Sequence, residues 1–226
     1  DVIGSDLVEV AYTIAREADP SAKLFYNDFN EWVPAKREAI YSMVKKLKDK
    51  GLIDGIGIQQ HVKLTSPTAA LIDTAISRYA ELGLEIHVTE LDVEVNPNGT
   101  FTELTPDLSI ALASRYKELF AVYAKYPGTV TAVMTWNVTD SSSWLLSFPT
   151  VHTTWPLLFD ADGKPVSLST TSSGSPTGFL NGKPIPSTNT ELAPNILAQF
   201  KKDMVAVEGV ALDITGGTTL DRLRQE

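Results

Sequence analysis

Up to about residue 165, short apolar runs and amphipathic stretches take turns along the chain, and this alternation limits the fold more than any other feature. Asp6 is placed to cap a helix through Leu7, Val10, Ala11, Ile14 and Ala15, which Asp19-Pro20 would end. A short apolar segment, 22–26, leads into the polar cluster Asn27-Asp28-Phe29-Asn30. Ile40, Met43, Val44 and Leu47 then recur on one face of a helix that Lys50-Gly51 stops. Residues 53–62 read as one buried strand, 69–82 as a helix ending at Gly83, and 84–95 as a strong strand. The loop 96–99, a helix over 106–126 and a strand over 130–138 complete the pattern. Strands alternating with helices of this length imply βαβ units and a parallel sheet, either half of a barrel or a small open sheet.

Beyond Asp162-Gly163-Lys164-Pro165 the composition changes. Residues 166–190 are rich in Ser, Thr, Gly and Pro and read as a linker or surface loop, with turns over 178–186. Residues 191–226 form a tail with one amphipathic helix expected over 192–207. The chain opens at Asp1-Val2-Ile3-Gly4, already close to helical patterning, and the start reads as a cut inside something longer.

Composition narrows the chemistry. There is no cysteine, which removes a disulfide framework, a thiolate zinc site and a cysteine nucleophile. A net charge of −9 repels phosphate backbones, so nucleic acid is not an expected partner. No apolar run reaches the roughly 18 residues of a membrane span, and no signal peptide is visible.

Four clusters carry the functional reading. In His87-Val88-Thr89-Glu90-Leu91-Asp92-Val93, strand alternation puts Glu90 and Asp92 on one face. Two carboxylates on an apolar strand are costly unless paired or functional; the alternative is a strand end that meets solvent. Gln59 and His61 share a face at the end of the preceding strand, where a histidine would hold and orient a neighbouring carboxylate. A lone histidine is also a common structural residue. Trp136 and Trp144 bracket a polar stretch and offer flat faces of the kind on which sugar rings stack, although either is equally a core residue. Asn27 lies in a cluster that suits sugar hydroxyls or a turn.

Together these segments resemble glycoside hydrolase family 10, the β-1,4-xylanases. The resemblance rests on Ala-Asp-Pro-Ser-Ala-Lys-Leu-Phe-Tyr-Asn-Asp-Phe-Asn (18–30), Ile-Asp-Gly-Ile-Gly-Ile-Gln-Gln-His (53–61), His-Val-Thr-Glu-Leu-Asp-Val (87–93), Trp-Asn-Val-Thr-Asp-Ser-Ser-Ser-Trp-Leu (136–145) and Pro-Leu-Leu-Phe-Asp (156–160). It covers about residues 1–165 and implies an α/β fold, a (β/α)8 TIM barrel of which this chain supplies roughly strands five to eight. It implies retaining hydrolysis of internal β-1,4-xylosidic bonds by double displacement. Glu90 would be the nucleophile, His61 and Asp92 its charge-tuning partners, Gln59 and Asn27 cleft ligands, and Trp136 and Trp144 the lining of the glycone side. No cofactor or metal is called for, the substrate is xylan or xylo-oligosaccharide, and the location is extracellular.

The departures are informative. The family's acid/base glutamate, in a Trp-Asp-Val-Val-Asn-Glu type motif, has no counterpart here. Phe29 stands where tyrosine is usual and Asn137 where glycine is usual. Asn137-Val138-Thr139 is a glycosylation sequon expected to be too buried for use, which leaves Asn98-Gly99-Thr100 as the better acceptor. Half a barrel has unpaired strand edges, so pairing with a complementary N-terminal half or self-association is expected. Two other readings stand beside the hydrolase: a non-catalytic xylan-binding or assembly module, and a metal-dependent hydrolase ligated by His61, Glu90 and Asp92, disfavoured because the chain has only three histidines, none closely paired.

Overall fold

The computed structural model describes residues 6–165 and two short segments, 179–180 and 183–184. Four helices alternate with parallel strands: α1 (Leu7–Ala18), β1 (Phe25–Asp28), α2 (Pro34–Asp49), β2 (Gly55–Ile58), β3 (His61–Lys63), α3 (Ala69–Ala80), β4 (Glu85–Glu94), α4 (Pro106–Tyr123) and β5 (Val130–Thr135). β1 pairs with β2, β2 and β3 with β4, and β4 with β5, all in parallel. Thr68 and Thr105 cap α3 and α4 by accepting the backbone N–H groups of Leu71 and Leu108. Pro34 and Pro106 sit in the first turns of α2 and α4, where a missing N–H is harmless.

The core lies between the helices and one face of the sheet. Ile56, Ile58, Ile86 and Val88 point into it and meet Ile40, Val44 and Leu47 of α2, Ile72, Ile76 and Tyr79 of α3, and Leu112, Leu119 and Tyr123 of α4. The opposite face of β2 is glycine. A Cβ on Gly55 would fall 2.0 Å from the Phe25 ring, and one on Gly57 would fall 2.5 Å from Asn27 Oδ1. The Gly-Ile-Gly-Ile sequence of β2 therefore does two jobs: isoleucines fill the core and glycines let β1 side chains lie across the strand towards β4.

Several local expectations change. The strand expected over 53–62 is broken at Gln59-Gln60, where Gln60 takes a left-handed backbone conformation (φ +64°). Asn27 and Asp28 belong to β1 rather than to a turn after it, and β5 stops at Thr135 instead of running to residue 138. Asp6 precedes α1 without a side-chain cap. That helix packs by Val8 and Tyr12, while Leu7, Val10 and Ile14 of its expected apolar face are 48%, 43% and 60% exposed. Asn137 and Val138 are exposed, which corrects the view of that sequon as buried; Asn98 is exposed as well. Within the stretch expected as turns, Phe179–Leu180 and Lys183–Pro184 are two short strands paired antiparallel. The remaining linker and tail expectations lie outside the described residues.

Candidate active site

Asn27 and Trp136 stand at the C-terminal ends of β1 and β5, Gln59 follows the C-terminal end of β2, His61 opens β3, Glu90 and Asp92 lie in the second half of β4, and an extra residue in β4 aims the central one, Glu90. Between the pairs Ile58–Val88 and His61–Asp92, the β2–β3 edge uses two residues (59 and 60) and β4 three (89–91). Against β5, between Val88–Val133 and Leu91–Thr135, β4 uses two residues and β5 one. β4 thus bulges at Thr89-Glu90. Regular alternation would put Glu90 on the face of Ile86 and Val88, both fully buried under the helices. The bulge reverses that parity, as bulges do beside functional sites, and Thr89 and Glu90 both turn to the cleft. The alternation argument therefore grouped Glu90 with Asp92 correctly and overlooked that both would have shared a face with the core.

Glu90 is held at both oxygens. Asn27 Nδ2 donates to Oε1 at 2.9 Å, and His61 Nε2 lies 3.2 Å from Oε2. Asn27 reaches β4 over Gly57, and its own carbonyl accepts the Thr89 hydroxyl at 2.7 Å, which fixes the amide so that its N–H group faces Glu90. His61 Nδ1 lies 3.0 Å from Asp92 Oδ1, and the other oxygen of Asp92 accepts the Trp144 indole N–H at 2.8 Å. Asp92 is 1% exposed, so these two contacts are the compensation for burying it.

His61 therefore sits between two carboxylates. Burial pulls its pKa down, but the hydrogen bond and charge of Asp92, and then those of Glu90, outweigh this and hold it above the ordinary imidazole value. Trp144 and Trp136 flank its ring edge-on at 5.0 and 6.3 Å between centroids. Trp136 is 43% exposed at the end of β5. Trp144 is half-buried and one face stacks on Phe148 at 5.1 Å, so it offers less free surface than Trp136.

All the expected site residues thus lie at one end of the sheet. Glu90, His61, Asp92, Asn27 and Trp144 are linked by hydrogen bonds. Trp136 touches the group through His61. Gln59 is half-buried, and among the described residues it enters through its backbone, its carbonyl accepting the Glu90 N–H at 3.0 Å. Thr89, Gln60 and Glu31 were missed. A hydroxyl next to the central carboxylate was the available signal for Thr89. Glu31 gave none, because the sequence does not show that Glu31 and Gln60 meet.

The comparisons with known proteins bear on this arrangement. The model of glycosyl hydrolase family 10 matches residues 1–170. The chain belongs to that family. It is 45% identical over 171 residues to a β-1,4-xylanase of Dictyoglomus thermophilum, covering 73% of this chain and 49% of that protein. It is 42% identical over 170 residues to an endo-1,4-β-xylanase of Geobacillus stearothermophilus, covering 73% and 52%. Among solved structures, a family 10 endoxylanase from a sugarcane soil metagenome matches with a TM-score of 0.69 at 35% identity, covering 72% of this chain and 51% of that one. A family 10 xylanase of Thermobacillus composti matches with a TM-score of 0.66 at 44% identity, covering 72% and 56%. The four βα layers described here are accordingly part of a (β/α)8 barrel, and the chain spans about half the length of the curated relatives it matches. In that barrel, active sites stand at the C-terminal strand ends, where the Glu90 cluster lies.

Proposed function

We propose that this chain carries the nucleophile side of a retaining endo-β-1,4-xylanase. The observation behind this reading is the Glu90 carboxyl, aimed into the cleft by the β4 bulge and fixed at both oxygens by Asn27 and His61. A double displacement needs two carboxyl groups about 5–5.5 Å apart. Glu90 attacks the anomeric carbon as the glycosidic bond breaks; an acid/base carboxyl first protonates the leaving oxygen and then takes a proton from the water that releases the sugar. Asp92 does not suit the second role, because its oxygens are engaged by His61 and Trp144. The acid/base group is proposed to come from the part of the barrel that the relatives have and the matched residues here do not span. His61 donates to Glu90 and Asp92, and Trp136 gives a sugar ring a flat face. Because each ring nitrogen of His61 points at a carboxylate, the geometry favours this role over metal ligation.

Association is part of the same proposal. Among the described residues, β1 pairs only with β2 and β5 only with β4, so two outer edges are open. Exposed Leu7, Val10 and Ile14 add an apolar stripe on α1. A complementary half-barrel, or a second copy, fits these edges.

The deciding experiment is incubation with a 2-fluoro-xylobioside inactivator, alone and with a complementary half-barrel supplied, followed by peptide mapping by mass spectrometry. The expected label is on Glu90. A label on another residue overturns the nucleophile assignment, and binding of xylo-oligosaccharide with no label in either condition favours the non-catalytic xylan-binding module.

A further inference from the structure

Behind the cleft, on the helix side of the sheet, lies a second polar group that the proposed chemistry does not use. Gln60 is fully buried. Its amide nitrogen donates to Glu31 Oε1, and its amide oxygen accepts the Tyr123 hydroxyl at 2.9 Å. Glu31 follows β1, Gln60 joins β2 to β3, and Tyr123 ends α4, so three layers converge on one side chain. Glu31 is 1% exposed, and burial pushes its carboxyl up to about 7. Such an arrangement is expensive unless it serves something.

Its effect is visible in the backbone of Gln60. A non-glycine residue in the left-handed region is strained and persists only where its surroundings over-determine it. Along a regular strand, successive carbonyls point to opposite neighbours. Here the carbonyls of Gln59 and Gln60 both turn to β4, accepting the N–H groups of Glu90 at 3.0 Å and Asp92 at 3.5 Å. That turn lets the shorter β2–β3 edge stay beside the bulged β4, and it sets His61 opposite Asp92. The bulge on one strand and the left-handed residue on the other are complementary.

We propose that Gln60, anchored by Glu31 and Tyr123, is a positioning residue that sets His61 between Glu90 and Asp92. It touches no substrate; it acts through the direction of the chain at His61. The consequence for catalysis rests on the nucleophile reading above, but the geometric claim does not, and its test needs no turnover.

The chain has only three histidines, His61, His87 and His152, so each imidazole is resolvable in a nitrogen-15 titration of the whole chain. The groups facing His61 are Glu90, Asp92 and the two tryptophans. Gln60→Met keeps the volume but removes the amide; Gln60→Gly removes the anchor while making the left-handed backbone free. In both, His61 is expected to fall by about one pH unit as it loses its fixed carboxylates, while His87 and His152 titrate as in the parent. Tyr123→Phe, which deletes one hydroxyl, is expected to shift His61 in the same direction by less. A His61 titration that stays at the parent value in folded Gln60→Met and Gln60→Gly overturns the proposal; should neither fold, Tyr123→Phe decides on the same criterion. Labelling of Glu90 is scored separately, so failure of the nucleophile reading and failure of this inference are distinguishable.

Discussion

Asp92 carries the sharpest consequence at the scale of single residues. It is a nearly inaccessible carboxyl with one oxygen on His61 and the other on the Trp144 indole. Replacing Trp144 by Phe keeps most of the ring but leaves Asp92 Oδ2 without its donor, and an unsatisfied buried acceptor costs about 1–3 kcal/mol. Trp136→Phe, at a 43% exposed ring, should stay within about 0.5 kcal/mol of the parent. Urea unfolding of the two variants side by side checks this; equal losses would mean that the indole–carboxylate bond contributes nothing particular. The sequence made Asp92, His61 and Trp144 visible as candidates because each is chemically out of place on an apolar strand or in a polar loop. It did not show that Trp144 binds through its N–H, since 52 residues separate the two and only the fold brings them together. Gln60 was hidden for a similar reason: its importance lies in a backbone angle, which residue type does not announce.

At the scale of elements, the helix–strand alternation was legible because apolar periodicity is a local property. Isoleucine in Gly-Ile-Gly-Ile and the caps at Thr68 and Thr105 are local signals too. The bulge in β4 was not legible, because it exists only relative to the counts along β2–β3 and β5. The exposed face of α1 was misleading in the opposite way: the periodicity is real, but among the described residues nothing covers Leu7, Val10 and Ile14. The two kinds of apolar position should respond differently to mutation. Ile76 of α3 is fully buried, and Ile76→Ala is expected to destabilise by about 2–5 kcal/mol. Ile14→Asn on α1 should cost under about 0.5 kcal/mol in dilute solution and weaken association with a complementary half or a second copy. Chemical denaturation combined with sedimentation velocity separates these effects, and a large loss of stability at Ile14 in the monomer would mean that α1 packs by its apolar stripe after all.

For the whole molecule the balance of titrating groups sets where it is most stable. Asp54, held low by its Leu24 and Arg16 hydrogen bonds against the opposing effect of burial, and Glu85, held low chiefly by Lys23, contribute stability above the ordinary carboxyl range and lose it as pH falls. Four groups work in the other direction. Burial raises Glu31 and Asp140 to about 7. His61 is raised by its carboxylates against burial, and His152 by its Thr150 contact and Glu94. A group whose folded pKa is raised stabilises fully below its unfolded pKa and loses that contribution as pH climbs through the folded value. For the two carboxyls the loss runs from about pH 4 to 7, and for the histidines it begins near the ordinary imidazole value of about 6.5. His87, lowered by burial, opposes them, but alone. The net charge of −9 adds self-repulsion that grows as the remaining groups ionise. The expected stability maximum is therefore mildly acidic, near about pH 5, with a loss on the order of 5 kcal/mol and a melting temperature lower by about 10 °C or more by about pH 8. Calorimetry from about pH 4 to 9 at constant ionic strength tests it. Glu31→Gln should flatten the part of the alkaline decline between about pH 4 and 7, because the amide keeps an acceptor for Gln60 and removes the buried charge. A maximum near or above neutrality would mean that Glu31 and Asp140 are already solvated in the folded chain.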